Sequence, residues 1–169
     1  MISALKRFQL PVLSASRLFG KGLPVLITLL VFLISAHSFG QTYLISDEGT
    51  VSTCSGNIYD SGGPNVRYRN DEDYTITICS DNGEAVVIDF NDFDTEAGYD
   101  YLYIYDGNST ASPQLASLTG DFGANAGSYT STETCLTLRF VSDGSVREAG
   151  FDASISCTPL PPVSLISDG

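Results

Sequence analysis

Beyond residue 73 the chain returns again and again to short runs in which apolar or β-branched residues alternate with polar ones. YTITIC (74–79), AVVIDF (85–90), YLYIY (101–105), CLTLRF (135–140) and FDASISC (151–157) each show a two-residue period or a continuous β-prone stretch. Such runs read as strands, because successive strand side chains point to opposite faces. Turn-forming clusters separate them: SGGPN, SDNG, YDGNST and SDGS. No window sustains a helical period. Strands this short, punctuated this regularly, predict an all-β protein, an antiparallel β-sandwich of the jelly-roll type.

The first forty residues follow a different pattern. Lys6, Arg7, Arg17 and Lys21 occur there with no acidic residue, and the apolar run LPVLITLLVFLISA (23–36) leads into HSFGQ. The run is shorter than the roughly 20 residues a membrane helix needs. A basic start, an apolar middle and small residues after it predict a secretory signal over residues 1–40, cleaved near Gly40. An uncleaved N-terminal anchor is the alternative. Residues 41–53 then form a lead-in to the strands.

Charge and composition narrow the chemistry. Residues 41–169 hold all 20 acidic residues and only four cations, Arg67, Arg69, Arg139 and Arg147, for a formal charge of −16. That argues against nucleic acid, whose phosphates need a basic face, and against anionic membranes. It suits cationic partners or divalent metal ions. The same region has no Lys, His, Trp or Met. Ser–His–Asp and Cys–His catalysis, a Schiff-base lysine and a histidine-ligated zinc site are therefore excluded within it. A carboxylate pair remains for catalysis, but glycoside hydrolysis needs a cleft with one raised pKa. A sandwich of this size with an acidic rim offers little cleft, and the chain reads as non-catalytic.

Cys54, Cys79, Cys135 and Cys157 all lie after the signal. An even count in an exported chain predicts two disulfides, with three pairings open. Pairing of sequence neighbours would close loops of roughly 20–25 residues, each worth about 3 kcal/mol in the chain-entropy picture. No C-x-x-C spacing supports a four-cysteine zinc cluster. After Cys157 the chain runs through TPLPPV, a Pro-rich linker, and residues 158–169 end in LISDG (165–169), which repeats LISDEG (44–49). A repeat at a domain-sized period suggests the start of a second module in a tandem array.

The segments CSGNIYDSGG, Tyr68, YTITIC, VVIDFNDFDTE, YDYLYIYDG, LASLTG and LTLRFVSDGS with Gly150–Phe151 follow one another in an order that resembles a CUB domain. The resemblance runs from Cys54 to Cys157, and its wording is most similar to CUB modules of multidomain bacterial secreted proteins. It implies a compact β-sandwich of about ten short strands. It also implies a calcium site, since many CUB domains bind calcium through acids at set places in this pattern. Those places are here Glu96, Asp100 and Asp143, with the Ser145 backbone carbonyl adding an oxygen and Tyr68 supporting the site. Asp92 is the fallback ligand, because the loop between Glu96 and Asp100 is short. Calcium takes six to eight hard oxygen ligands in irregular geometry, and three loop carboxylates suit it.

The chain also departs from that pattern. The second disulfide of many CUB domains would fall at Ala97 or Gly98 and at Thr119, and both cysteines are missing. By the resemblance, Cys135 and Cys157 replace it across neighbouring strands, so the expected bridges are Cys54–Cys79 and Cys135–Cys157. The implied function is a secreted module whose calcium-ordered loops bind another protein, or a cell-surface ligand, through a basic residue of the partner, as part of a larger extracellular or adhesive protein. Two further readings stand beside it. The tyrosines Tyr101, Tyr103 and Tyr105 could form an exposed face that stacks on sugars, or the domain could be a structural spacer. Asp60 in DSGG reads as a turn-former that accepts hydrogen bonds from backbone amides.

Overall fold

A computed structural model describes residues 40–160; the signal expected over 1–40 and the repeat at 165–169 therefore lie, but for Gly40, outside the described residues. Ten strands form two five-stranded sheets. They are β1 (Thr42–Leu44), β2 (Gly49–Ser52), β3 (Ser55–Tyr59), β4 (Asp73–Cys79), β5 (Ala85–Asp94), β6 (Tyr101–Asp106), β7 (Gln114–Leu118), β8 (Ser128–Thr130), β9 (Cys135–Val141) and β10 (Gly150–Thr158). One sheet has the order β1-β3-β10-β5-β8 and the other β2-β4-β9-β6-β7.

The five strands read from alternation are β4, β5, β6, β9 and β10. β9 and β10 are central, and each is paired on both edges, β10 to β3 and β5, β9 to β4 and β6. Their inward residues meet in one core. Ile76 and Ile78 of β4, Leu102 and Ile104 of β6 and Leu136, Leu138 and Phe140 of β9 are fully buried, as are Ile88 and Phe93 of β5. The pairing of β5 with β10 shifts register between Asp152 and Ala153, leaving Asn91 without a partner in the ladder. That bulge resets the two-residue period, so Phe90 and Phe93 both face inward although they are an odd three positions apart. The strands that alternation does not reveal, β1, β2, β3, β7 and β8, are short and mostly sit at sheet edges, where one side stays wet.

The lead-in serves both sheets. β1 pairs in parallel with β3, and β2 in parallel with β4. The 3-10 turn Ile45–Asp47 carries the chain from one sheet edge to the other. Ile45 is fully buried and Asp47 Oδ2 accepts the Leu44 N–H at 2.8 Å. LISD (44–47) is therefore a structural element of this domain.

The bridges are Cys54–Cys157 and Cys79–Cys135, not the expected Cys54–Cys79 and Cys135–Cys157. The reason is topological. Cys79 and Cys135 are directly opposed partners in the antiparallel β4–β9 ladder. Cys135 and Cys157 lie on strands of different sheets. Cys54, just ahead of β3, meets Cys157 at the end of β10, which pairs with β3. Non-reducing peptide mapping should find these two links, and the double replacement Cys54→Ala/Cys157→Ala, which opens a span of 103 residues, should lower stability by about 4–5 kcal/mol in urea melts.

Candidate metal site

Both bridges lie at one end of the sandwich, together with the start of β1 and the end of β10. The loops at the opposite end hold the acids. β5 runs into the turn 95–100, β9 into the loop 142–149, and the chain between β3 and β4 brings Tyr68 to the same place.

Tyr68 organises this end. Its ring is fully buried and packs edge-on against Phe140, with centroids 5.0 Å apart. Its hydroxyl donates to Asp100 Oδ2 at 2.6 Å and accepts the N–H of Glu96 and of Glu148, each at 3.2 Å. Burial, and then the bond to Asp100, push the phenol well above its ordinary range, so it stays a donor. Asp100 has no exposed surface, and its other oxygen accepts the Asp143 N–H at 2.8 Å. Asp143 in turn accepts the Ser145 N–H at 2.8 Å, which folds the chain back at Gly144–Ser145. The Asp143 carbonyl accepts the Asp71 N–H, and Asn70 donates to the Gly144 carbonyl.

The short turn before Asp100 is held by hydroxyls. Gly98 N–H donates to Thr119 Oγ1 at 2.7 Å, and Thr119 Oγ1 donates to the Glu96 carbonyl at 3.2 Å. Thr95 Oγ1 accepts the Gly120 N–H and donates to the Asp100 carbonyl. Position 98 and position 119, where a disulfide was missed in the sequence, are thus neighbours joined by a hydrogen bond instead.

Glu96, Asp100 and Asp143 each offer a carboxylate oxygen, and these oxygens lie within 4.8 Å of one another. Glu96 Oε2 is enclosed and has no hydrogen-bond partner. Its carboxyl is raised above the usual range by desolvation, then by the charges of Asp143, Asp100 and Glu148. An enclosed carboxylate oxygen with no donor, facing two more carboxylates, fits a hard cation, and the cluster could hold a metal ion. Asp92 stands apart from these three: it is exposed on β5 and its Oδ1 accepts the Phe93 N–H.

Asp60 is a second buried carboxylate, used for structure. It accepts the Gly62 N–H at 2.7 Å and the Phe151 N–H at 3.0 Å, tying the end of β3 to the start of β10. Gly150 makes this possible: it has φ +97, and a Cβ there would run into the Asp60 carboxylate. Burial raises the Asp60 pKa to about 6, opposed by those two N–H groups and assisted by the charge of Glu72. The turn-forming part of this role was legible in DSGG; the reach to Phe151 was not.

Tyr68→Phe leaves the Glu96 and Glu148 N–H groups and Asp100 Oδ2 without their Tyr68 partner, and should lower stability by about 2–4 kcal/mol in urea melts without metal. A folded-state pKa raised above the unfolded value favours the protonated form. Asp60 therefore contributes stability that is complete below its ordinary value of 3.8 and lost as pH rises through about 6. Asp60→Asn removes this titration while misplacing one acceptor. The stability gap between wild type and Asp60→Asn should narrow as pH climbs from 4 to 6, measured by urea melts across that range.

The chain matches the family model described as CUB domain over residues 47–155. It is 34% identical over 119 residues to "Putative protein tag-53" of Caenorhabditis elegans, covering 70% of this chain and 8% of that protein. It is 32% identical over 107 residues to Tolloid-like protein 2 of Mus musculus, covering 61% of this chain and 10% of the relative. The chain spans a tenth or less of these curated relatives. Among solved structures, the extracellular region of zebrafish Gpr126/Adgrg6 superposes with a TM-score of 0.58 at 27% identity, covering 68% of this chain and 15% of the other. The MASP-1 CUB2 domain bound to Ca2+ superposes with a TM-score of 0.55 at 23% identity, covering 64% of this chain and 97% of the other. Fold, strand pattern and family match agree: this chain belongs to the CUB domain family.

Proposed function

We propose that this chain is a secreted, non-catalytic CUB module whose acidic loops are ordered by calcium and bind another protein as part of a larger extracellular assembly. CUB domains are typically extracellular protein-interaction modules of multidomain proteins. Among the described residues no helix is long and apolar enough to cross a membrane. The signal expected over residues 1–40 and the two disulfides accord with export to an oxidising compartment.

The observation that carries the metal reading is the enclosed, unpartnered Glu96 Oε2 beside Asp100 and Asp143. Oxygen-only donors, with no His and no free cysteine after residue 40, suit calcium better than zinc or copper. Bound calcium supplies positive charge that offsets the mutual repulsion of the three carboxylates. The chain's own residues do the rest. Tyr68 holds Asp100, Asp100 holds the Asp143 backbone, and Asp143 turns the chain at Ser145, whose carbonyl would add an oxygen. A cationic side chain of the partner then meets the ion-held carboxylates. The related MASP-1 CUB2 domain, which is bound to Ca2+, lends the metal reading support.

The sugar-stacking reading is weaker on geometry. Tyr101 and Tyr103 are near-parallel, 13° between planes, with centroids 5.8 Å apart, and stack on each other. Rings stacked along a strand turn their faces to one another, so an incoming sugar meets mainly their edges.

Thermal unfolding in EDTA and then in millimolar calcium tests the function. Extracellular modules often bind at roughly 10⁻⁴–10⁻³ M, so about 1 mM calcium adds about 0.4–1.4 kcal/mol to the native state and a rise of a few degrees is expected. Magnesium at equal ionic strength should give little shift, and Asp143→Ala should abolish the calcium response. No shift in the wild type would leave the acids as a solvated rim and return the domain to the spacer reading.

A further inference from the structure

The cations of this acidic chain are not scattered. Arg67, Arg69 and Arg147 are three of the four arginines after residue 40, and all three sit on the loops that flank Tyr68. The fourth, Arg139, is locked to Asp73 on the outer face of its sheet by two bonds of 2.7 Å. That is the only ion pair among the described residues. Arg67, Arg69 and Arg147 are exposed and unpaired, although Asp71, Asp143 and Glu148 are close in the chain.

Two exposed valines share these loops. Val66 is 65% and Val146 52% exposed. Val146 has φ +42, a left-handed conformation that a β-branched residue rarely adopts. Strain held at a surface position is a recurrent mark of a working surface. The two loops are fastened together: Arg67 Nη1 donates to the Arg147 carbonyl at 2.6 Å, and the next residue, Glu148, donates its N–H to the Tyr68 hydroxyl. The Val66–Arg67 backbone also lies so close to Gly62 that a Cβ there would collide with the Val66 carbonyl. The patch is therefore ordered before any partner arrives, which lowers the entropy lost on binding.

We propose that Val66, Arg67, Arg69, Val146 and Arg147 form a docking surface for an acidic protein segment that carries an apolar anchor. The valines contact the anchor, and the guanidiniums take the carboxylates, to which their forked donors are matched. A protein fits better than a sulfated polysaccharide. The valines have no counterpart on a polysaccharide, and the charge of −16 over residues 41–169 repels a dense polyanion while three local arginines still engage isolated carboxylates. The inference rests on the protein-binding reading but not on the metal, because the fastening bonds are all made by protein groups. It gives the partner both signs of charge: a cation for the ion-held carboxylates and an anion beside it.

The test is to pan a phage-displayed random dodecapeptide library on the full chain in calcium, and to measure the selected peptides against variants. Selected sequences should combine Asp or Glu with an aliphatic or aromatic residue. Their affinity should fall about tenfold or more in Arg67→Ser/Arg147→Ser and in raised salt, and stay unchanged in Arg139→Ser. Val146→Gly relieves the backbone strain, so it should weaken binding without lowering the melting temperature, a combination that a purely structural role would not give. Both variants should keep the wild-type calcium shift. Acidic peptides selected from a protein with no calcium shift would uphold this inference while the metal reading falls. Failure to enrich any peptide, enrichment of basic or uncharged peptides, or heparin binding through the same arginines without peptide binding would overturn it.

Discussion

A buried phenol cannot sit among three loops unless each of its hydrogen-bonding directions is used, and Tyr68 uses all of them. Its hydroxyl gives its proton to Asp100 and receives N–H groups from Glu96 and Glu148. The ring is held by the core through Phe140. The loops between β3 and β4, β5 and β6, and β9 and β10 are thereby referred to one atom whose position the core dictates. A buried polar network is stable only when each member is satisfied. Among the carboxylates here the exception is Glu96 Oε2, an enclosed acceptor with no donor in a cluster that could hold a metal ion.

The sandwich divides its means of support between its two ends. Disulfides close the end where β1 begins and β10 finishes. The other end has no covalent closure and relies on Tyr68, Asp60 and threonine hydroxyls. Asp60 is buried and joins β3 to β10 at that end, yet burial raises its pKa to about 6. The free end thus concentrates the buried and clustered carboxylates, Asp60, Glu96, Asp100 and Asp143, while the described residues begin and end at the other.

Much of the candidate site was legible because its residues are local to strand ends. Glu96 and Asp100 bracket the turn into β6, and Asp143 follows β9, so reading the strands correctly places all three at one end. Asp92 was a reasonable substitute on spacing alone. The bulge at Asn91 and the turn after Asp94 leave it outside the group that Glu96, Asp100 and Asp143 form, and neither is visible in a two-residue period. The arginine and valine surface was harder to see. Val66 and Val146 look like ordinary apolar residues in the sequence, and only the backbone angle and the Arg67–Arg147 bond reveal that they are held out together.

Periodicity by itself determined that this is an all-β sandwich, because alternation reports which side of a strand meets the core. Composition by itself excluded histidine, lysine and free-thiol chemistry after residue 40. Sequence order could not say which strand lies beside which. Cys79 and Cys135 are 56 residues apart yet directly opposed, while Cys135 and Cys157 are closer in sequence and belong to different sheets. Strand neighbours are chosen by how two sheets pack their apolar faces together, a property of the whole chain at once. Disulfide partners, the gathering of three carboxylates around one phenol and the clustering of three arginines are all consequences of that choice, so only the tertiary structure decided them.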